Sequence, residues 1–412
     1  MLQKRLNYPH YLWYFFYWLL LVDSINGFFL GLGQSFPLGI IYKSILLFCL
    51  IAIALKDRKN IPSLFLWIGY LSIFLIHFSC NGNAGKLGDT LSLLSKFWVV
   101  YWGYPVMVKI AKDSPNLTFD KIKSIFALNA IVLVANIILG ILGFGYSSYG
   151  DGGEDSTGYR GFFYAINELS GVILVLFGSV LFYTKIAFSN MKYYLVLLFL
   201  LFCVAMFSTK TAMGGMLLLF VFLQYLFGKK KYLVWMTLFL CILIPLLLYI
   251  GYRMALESGL WDRWMYFYDK SDDFFSFIVS GRNIFWENMK GRYLSSGFWG
   301  MAVGLGGNLT VEMDPFDAML NFGILGLVIV YGFWLYMIRQ AFARRKVCLL
   351  AKFVLFIDIE ILIFSIFAGH LMFSGLLGPF VPLLNALIYI PDRLLIKKIN
   401  EAQFSVTINR KH

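Results

Sequence analysis

Charge is what this chain has least of. Asp, Glu, Lys and Arg make up 14% of its 412 residues, against about a quarter in soluble globular chains, so a solvated globular fold is excluded. Five cysteines support no disulfide framework, because Cys49, Cys203, Cys241 and Cys348 fall in or beside apolar runs and Cys80 alone stands near an expected surface. Strand-like alternation is missing, which argues against a membrane β-barrel. The glycines from Gly304 to Gly307 form no phosphate-binding signature and precede no soluble nucleotide fold, so Walker and Rossmann readings fail on context. There is no internal repeat.

What is abundant is apolar: 60% of the residues are hydrophobic. Runs of about 20 such residues must be helices in lipid, where every backbone polar group needs an internal partner. Twelve spans are expected, near 10–30, 38–55, 61–79, 91–110, 123–145, 163–184, 193–208, 211–228, 232–251, 316–338, 349–370 and 372–390. The joints around Lys210 and His370 are short enough to be re-entrant. The fold class is therefore all-α, a polytopic membrane protein of about 12 transmembrane helices. A bundle of about nine helices fills 1–251, a long polar loop 252–315, closing helices 316–390 and a basic tail 391–412. The first apolar run has no small-residue cleavage site after it and is expected to be retained as a helix.

The net charge of +13 invites a nucleic-acid reading, but its placement refuses one. Lys and Arg gather at the termini and in the loops around Lys56, Lys112, Lys185, Lys229 and Arg344, 23 of the 35 in all. That excess marks a cytoplasmic face, with both termini inside and the long loop outside. The basicity is topogenic.

Polar residues inside or beside the spans are the candidates for function, since each is costly there. Asp23 and Asn26 sit in the first span, where the carboxylate either serves the reaction or bonds a neighbouring helix. Lys43 and Lys96 lie near the outer ends of their spans, where snorkelling to the interface explains them. A Gly/Ser/Asp-rich loop over 146–160, flexible by composition, leads into Arg160-Gly161-Phe162-Phe163 and then Asn167-Glu168. Ser208-Thr209-Lys210-Thr211 interrupts two apolar runs without Gly or Pro, so Lys210 is expected inside the bundle near the outer face. The long loop carries Arg253, Ser280-Gly281-Arg282-Asn283 and the aromatics Trp261, Trp264, Trp286 and Trp299, which either float short interfacial helices or stack on sugar rings. In a helix Arg282 and Trp286 share a face. Glu312, Asp314 and Asp317 close the loop: Asp314 as N-cap, Pro315 at N1 and Asp317 at N3 make a good helix start, leaving Glu312 unexplained. The same cluster could hold a divalent cation but has no His beside it. Of Asp358 and Glu360, at least one is expected to pair with a buried cation, Lys352 or Lys43. His370 ends the eleventh span, a packing residue or a base.

These motifs resemble the bacterial polysaccharide polymerases of the O-antigen ligase and Wzy-type polymerase superfamily. The similarity rests on Gly161-Phe162-Phe163 to Asn167-Glu168, Thr209-Lys210-Thr211, Ser280-Gly281-Arg282, Glu312-Met313-Asp314 through Asp317 to Gly323-Ile324-Leu325-Gly326, and Gly369-His370. It covers 160–370; the first 150 residues add only hydropathy. Ligases of the superfamily carry a His-Asn pair upstream of the Gly-x-x-Gly element, and Glu312 stands there instead, which favours a polymerase. The resemblance implies a GT-C-like fold and a metal-independent glycosyltransferase without cofactor. Donor and acceptor would be undecaprenyl-diphosphate-linked oligosaccharides, used at the outer face of the bacterial cell membrane, with a chain-length regulator as a further partner and no nucleic acid.

Such chemistry assigns Asp317 or Glu312 as base, with His370 in reserve. Arg282, Arg160 and Lys210 would meet the departing diphosphate. Asn167, Glu168, Asp314 and Trp286 would orient the glycan, Glu168 and Asn167 also facing Lys210. Two alternatives stay open: a ligase that hands finished glycan to another acceptor, and a lipid-linked oligosaccharide flippase, which intramembrane Asp23, Lys43, Asp358 and Glu360 keep in view.

Overall fold

The computed structural model describes residues 10–34, 36–80, 84–149, 157–228 and 281–397, with residues 265, 276 and 279 besides. The expected span at 232–251, Arg253, Trp261, Trp264, Ser280 and the end of the tail lie outside the described residues. Within them, six helices are long and apolar enough to cross a membrane, seven if one bent pair forms a single span. The protein is thus a mainly helical membrane protein.

The bent pair comes first. Helices α1 (Tyr11–Tyr17) and α2 (Leu19–Gly31) meet at 52° around Trp18. A break inside lipid frees backbone groups that water cannot satisfy. Asn129 of α6 (Pro115–Ile141) supplies the partners: its Oδ1 accepts from the Leu20 amide at 3.1 Å and its Nδ2 donates to the Phe16 carbonyl at 3.1 Å. Two helical turns along the same face, Asn136 Oδ1 accepts from Ser24 Oγ at 2.9 Å and from the Phe162 amide at 3.1 Å. Asn129→Leu should cost about 1–3 kcal/mol, the usual loss when buried backbone groups are orphaned. Thermal unfolding in detergent reads this as a lowered Tm, and an unchanged Tm would mean that the bend holds without the amide.

Helices α3 (Leu38–Ala54), α4 (Ile61–Cys80) and α5 (Leu87–Asp113) follow, then α6. After α6 the loop expected to be flexible proves structured at both ends. Strands β1 (Tyr146–Tyr149) and β2 (Thr157–Gly161) pair antiparallel and pack on α6; residues 150–156 lie outside the described residues.

The spine of the bundle is α7 (Ile166–Ala187), 15 of whose 22 residues are buried. Helices α8 (Asn190–Phe207) and α9 (Lys210–Phe227) flank it, joined through Ser208 in the left-handed region at φ 63°. Thr209 starts α9 by accepting from the Ala212 amide at 3.3 Å, and bonds Ser170 Oγ of α7 at 2.9 Å.

Further along, α10 (Arg282–Leu294) and α11 (Gly297–Val303) are short. They rest on α12 (Asp314–Arg344), which kinks at Gly323, φ 67° and ψ −171°. A Cβ at Gly323 would strike the Ala302 carbonyl, so the kink and the seat of α11 both need glycine. After α13 (Leu349–Ala368), the expected last span at 372–390 is not one helix. Residues 369–379 run as turns, and only α14 (Phe380–Ala386) with a 3-10 turn to Tyr389 is helical, ten mainly apolar residues in all. That is about 15 Å of helix, half the hydrocarbon thickness. Apolar content reported the burial of this stretch correctly; Gly375, Gly378 and Pro379 give it another shape. Non-helical backbone at this depth survives only when buried in protein with its polar groups satisfied.

Candidate functional site

The partners of that irregular backbone organise the site. Asp314, at the start of α12, turns its carboxylate to the segment: Oδ1 accepts from the His370 amide at 2.6 Å, and Oδ2 from the Leu371 and Met372 amides, both at 2.8 Å. The expected N-cap role is therefore corrected, for the residue preceding the helix is Met313 and no side chain caps it. Three amides outcompete one cap.

One turn on, Asp317 accepts from the Val311 amide at 2.6 Å and the Thr310 hydroxyl at 3.4 Å. Asn321, four residues further, bonds both backbone groups of Leu309, accepting at 2.9 Å and donating at 2.6 Å. Positions 314, 317 and 321 share a helix face, and from it they fold the 309–312 loop on one side and the 370–372 turn on the other. The two loops touch where Gly369 meets Glu312. Gly369 has φ +63° and would drive a Cβ into the Glu312 backbone. Its neighbours His370 and Glu312 are themselves left-handed, at φ 60° and 58°. Strain of this kind in non-glycine residues concentrates at functional sites.

Arg282 opens α10 beside them. Its Nε and Nη2 reach Glu312 Oε2 at 3.1 and 3.0 Å, and Nη1 donates to the Phe367 carbonyl at 2.9 Å, at the C-terminal end of α13. Glu312, unexplained as a helix-start residue, is thus the guanidinium's partner; its side chain stays 42% exposed. Trp286 lies one turn along the same face, as expected for a helix, and stacks on Phe316 with ring centres 4.3 Å apart. That indole seats α10 on α12, so packing accounts for it.

A second group clamps the far end of the segment. Glu168 of α7 accepts from Ser374 Oγ at 2.9 Å, from the Leu376 amide at 3.0 Å and from Lys96 Nζ at 3.2 Å. Lys43 pairs with Asp23 at 2.6 Å. The two pairs are neighbours: a Cβ on Gly375 would lie 3.6 Å from Lys43 Nζ and 3.8 Å from Glu168 Oε2. Three expectations are corrected here. Lys43 and Lys96 reach neighbouring helices as ion pairs, Lys43 largely buried and Lys96 partly solvated; Glu168 bonds Lys96, where Lys210 was expected; and Asp358 meets the Asn385 amide at 3.1 Å instead of a cation. Lys352 is exposed, and Glu360 is buried with neither carboxylate oxygen hydrogen-bonded among the described residues. Lys96→Met should cost about 1–3 kcal/mol, since Glu168 keeps two other donors and Lys96 is partly solvated. Adding Glu168→Gln should recover part of it, which Tm values of the single and double variants would reveal; additive losses would mean the pair does not couple.

The remaining expected residues gather elsewhere. Arg160 on β2 donates through Nη1 to the Tyr164 carbonyl, its guanidinium 5.3 Å from the Tyr146 ring and 5.9 Å from the Tyr164 ring. Lys210 is the first residue of α9 and is exposed, correcting the expectation of a buried cation. Asn167, half-buried, is the second residue of α7. Gly158 of β2 packs against Phe207 and Ser208, which brings Arg160 and Lys210 into one neighbourhood. Among the described residues no three His, Cys, Asp or Glu side chains converge as a metal site would require. Asn129, Asn136 and Asn321 were missed as neutral residues in apolar or helical runs, although the seven-residue spacings 129/136 and 314/321 were a readable signal.

No family model matches the chain, and neither does any curated protein.

Proposed function

We propose that the protein is a glycosyltransferase that moves a glycan from a polyprenyl diphosphate to a hydroxyl of a lipid-linked repeat unit, building a surface polysaccharide. The observation that carries this reading is the Arg282–Glu312 pair. It is partly exposed, yet stands on backbone that Asp314, Asp317 and Gly369 hold in one conformation. A reaction that expels a diphosphate needs fixed positive charge whose cost of orientation has been met before substrate arrives.

In the proposed step the acceptor oxygen attacks the anomeric carbon, and the carbon–oxygen bond to the diphosphate breaks with its electron pair on oxygen. Arg282 carries five N–H donors, more than its two partners use, and its planar fork suits phosphate oxygens. The acceptor's proton passes to a base. Of the three expected candidates, Asp317 is buried with both oxygens engaged. Glu312 is open to solvent and adjacent to the cation, so it takes the role, with His370 beside it in reserve. Asp314 and Glu168 act as positioning residues. We assign the closing half of a GT-C-like bundle to this work, in a bacterial cell membrane with both termini cytoplasmic and the Arg282 loop facing outward.

The test is reconstitution of the purified chain with undecaprenyl-diphosphate repeat units and no nucleotide sugar, read on a gel. A ladder supports polymerisation. A single transfer to a different acceptor, with glycan length unchanged, would make it a ligase. Lipid-linked sugar that crosses the bilayer unchanged would make it a transporter and move attention to the Asp23–Lys43 and Lys96–Glu168 pairs.

A further inference from the structure

A pocket of about 220 Å³ opens between the start of α6 and the end of α7, far along the chain from the acidic loops. Its walls are mainly apolar, part aliphatic and part aromatic, with Phe119, Phe126, Ala127, Tyr183 and Phe188 among them, and Lys123 at its edge. That volume is below the ~300–1,000 Å³ of sites that enclose a whole small molecule. It fits one end of an apolar chain whose remainder stays outside.

Three features say which chain. The pocket is at the end of the bundle where cations collect: Lys112 closes α5, Lys121 and Lys123 lie in the first turns of α6, Lys185 in the last turn of α7 and Lys192 in the first of α8. Two of these cations frame the opening, since Lys123 lines it and Lys192 Nζ stands 5.3 Å from the ring centre of Phe188. The Tyr183 hydroxyl, on the wall, is buried and makes no hydrogen bond among the described residues. An apolar slot, a buried donor and two flanking ammonium groups match an acyl chain, an ester carbonyl and an anionic phosphate in that order. Basic pockets between helices at the cytoplasmic side recognise anionic head groups in this way.

We propose that this pocket is a binding site for an anionic phospholipid of the surrounding leaflet, its acyl chain between α6 and α7 and its phosphate on Lys123 and Lys192. The lipid braces α7, the helix that also presents Glu168. The site is separate from the transfer reaction proposed above, and either can fail without the other.

Native mass spectrometry of the full chain, purified in detergent and equilibrated with equal amounts of phosphatidylglycerol and phosphatidylcholine, tests it. Each lysine near an anionic head group is worth a factor of about five, so phosphatidylglycerol should be retained at least about fivefold over phosphatidylcholine. Lys123→Gln with Lys192→Gln should make the two lipids equal. Ala127→Trp, which fills the slot from an exposed position, should remove both, and the Tm of the lipid-stripped variant shows that it still folds. Equal retention of the two lipids by the unaltered chain overturns the proposal. So does undiminished phosphatidylglycerol retention by a folded Ala127→Trp variant, which would leave only diffuse surface attraction.

Discussion

Arg282→Ala should lower polymer formation by two to three orders of magnitude while leaving the fold intact. Removal of one donor aimed at a developing oxyanion costs about 10²–10³ in rate elsewhere, and Arg282 offers a doubly charged leaving group more than one donor. Stability should change little because the partner left behind, Glu312, is 42% exposed and can be solvated. Only the Phe367 carbonyl loses a bond, worth about 1 kcal/mol. Arg282→Lys separates charge from geometry: it restores a cation without the planar fork and should recover only part of the rate. The gel ladder measures activity and thermal unfolding measures stability, so the two effects are read independently. An unaltered ladder from a folded Arg282→Ala protein would move the diphosphate to the Arg160 and Lys210 neighbourhood.

Asp314→Ala is expected to be the most destabilising single change in the bundle. Three backbone amides, of His370, Leu371 and Met372, would lose their acceptor at once in a place 1% exposed at the carboxylate residue. Each orphaned buried donor costs about 1–3 kcal/mol. Neighbouring losses overlap, so the sum should reach about 3–5 kcal/mol, near the top of what point changes do. Asp314→Asn should fare little better: its carbonyl can serve the Leu371 and Met372 amides, but then its NH₂ points at the His370 N–H, donor against donor. Hydrogen exchange gives the local readout. Amides 370–372 should lose protection in either variant while those of α7 keep theirs. If the Tm of Asp314→Ala stayed put, the segment would be held by packing alone.

These results bear on how much the amino-acid order revealed. Helices announced themselves through unbroken apolar runs: eleven of the twelve expected spans fall on the described residues and ten of these coincide with helices, of which six, or seven with the bent pair, are long and apolar enough to cross a membrane. The failure at 372–390 has a simple cause. Hydropathy measures removal from water, and residues buried in protein and residues crossing lipid share that property. The candidate site was partly visible as well. Arg282, Glu312, Asp314, Asp317 and His370 were nominated, and they meet around one pair of loops. Their partners were not visible. Asp314 already had a satisfactory local explanation at a helix start, and that explanation concealed a tertiary one. Lys43 and Asp23, like Lys96 and Glu168, were each recognised as costly in a span, yet periodicity within a helix says nothing about which helices are neighbours. Glu360 has no structural explanation, for its carboxylate meets no hydrogen-bond partner among the described residues.

The clamp on residues 369–379 has a consequence for the making of the protein. A ribosome delivers Glu168 about 200 residues, and Asp314 about 55, ahead of the amides they bind. For about half of synthesis α7, and for a much shorter interval α12, therefore stand in the membrane with carboxylates whose backbone partners have not yet been translated. The bundle can tighten only when these late turns arrive and thread between helices placed before them. Arrested chains that stop short of residue 369 should be loose, and open to membrane proteases, while chains a few dozen residues longer should resist them. This late segment works as the keystone of an arch most of whose stones are already in place.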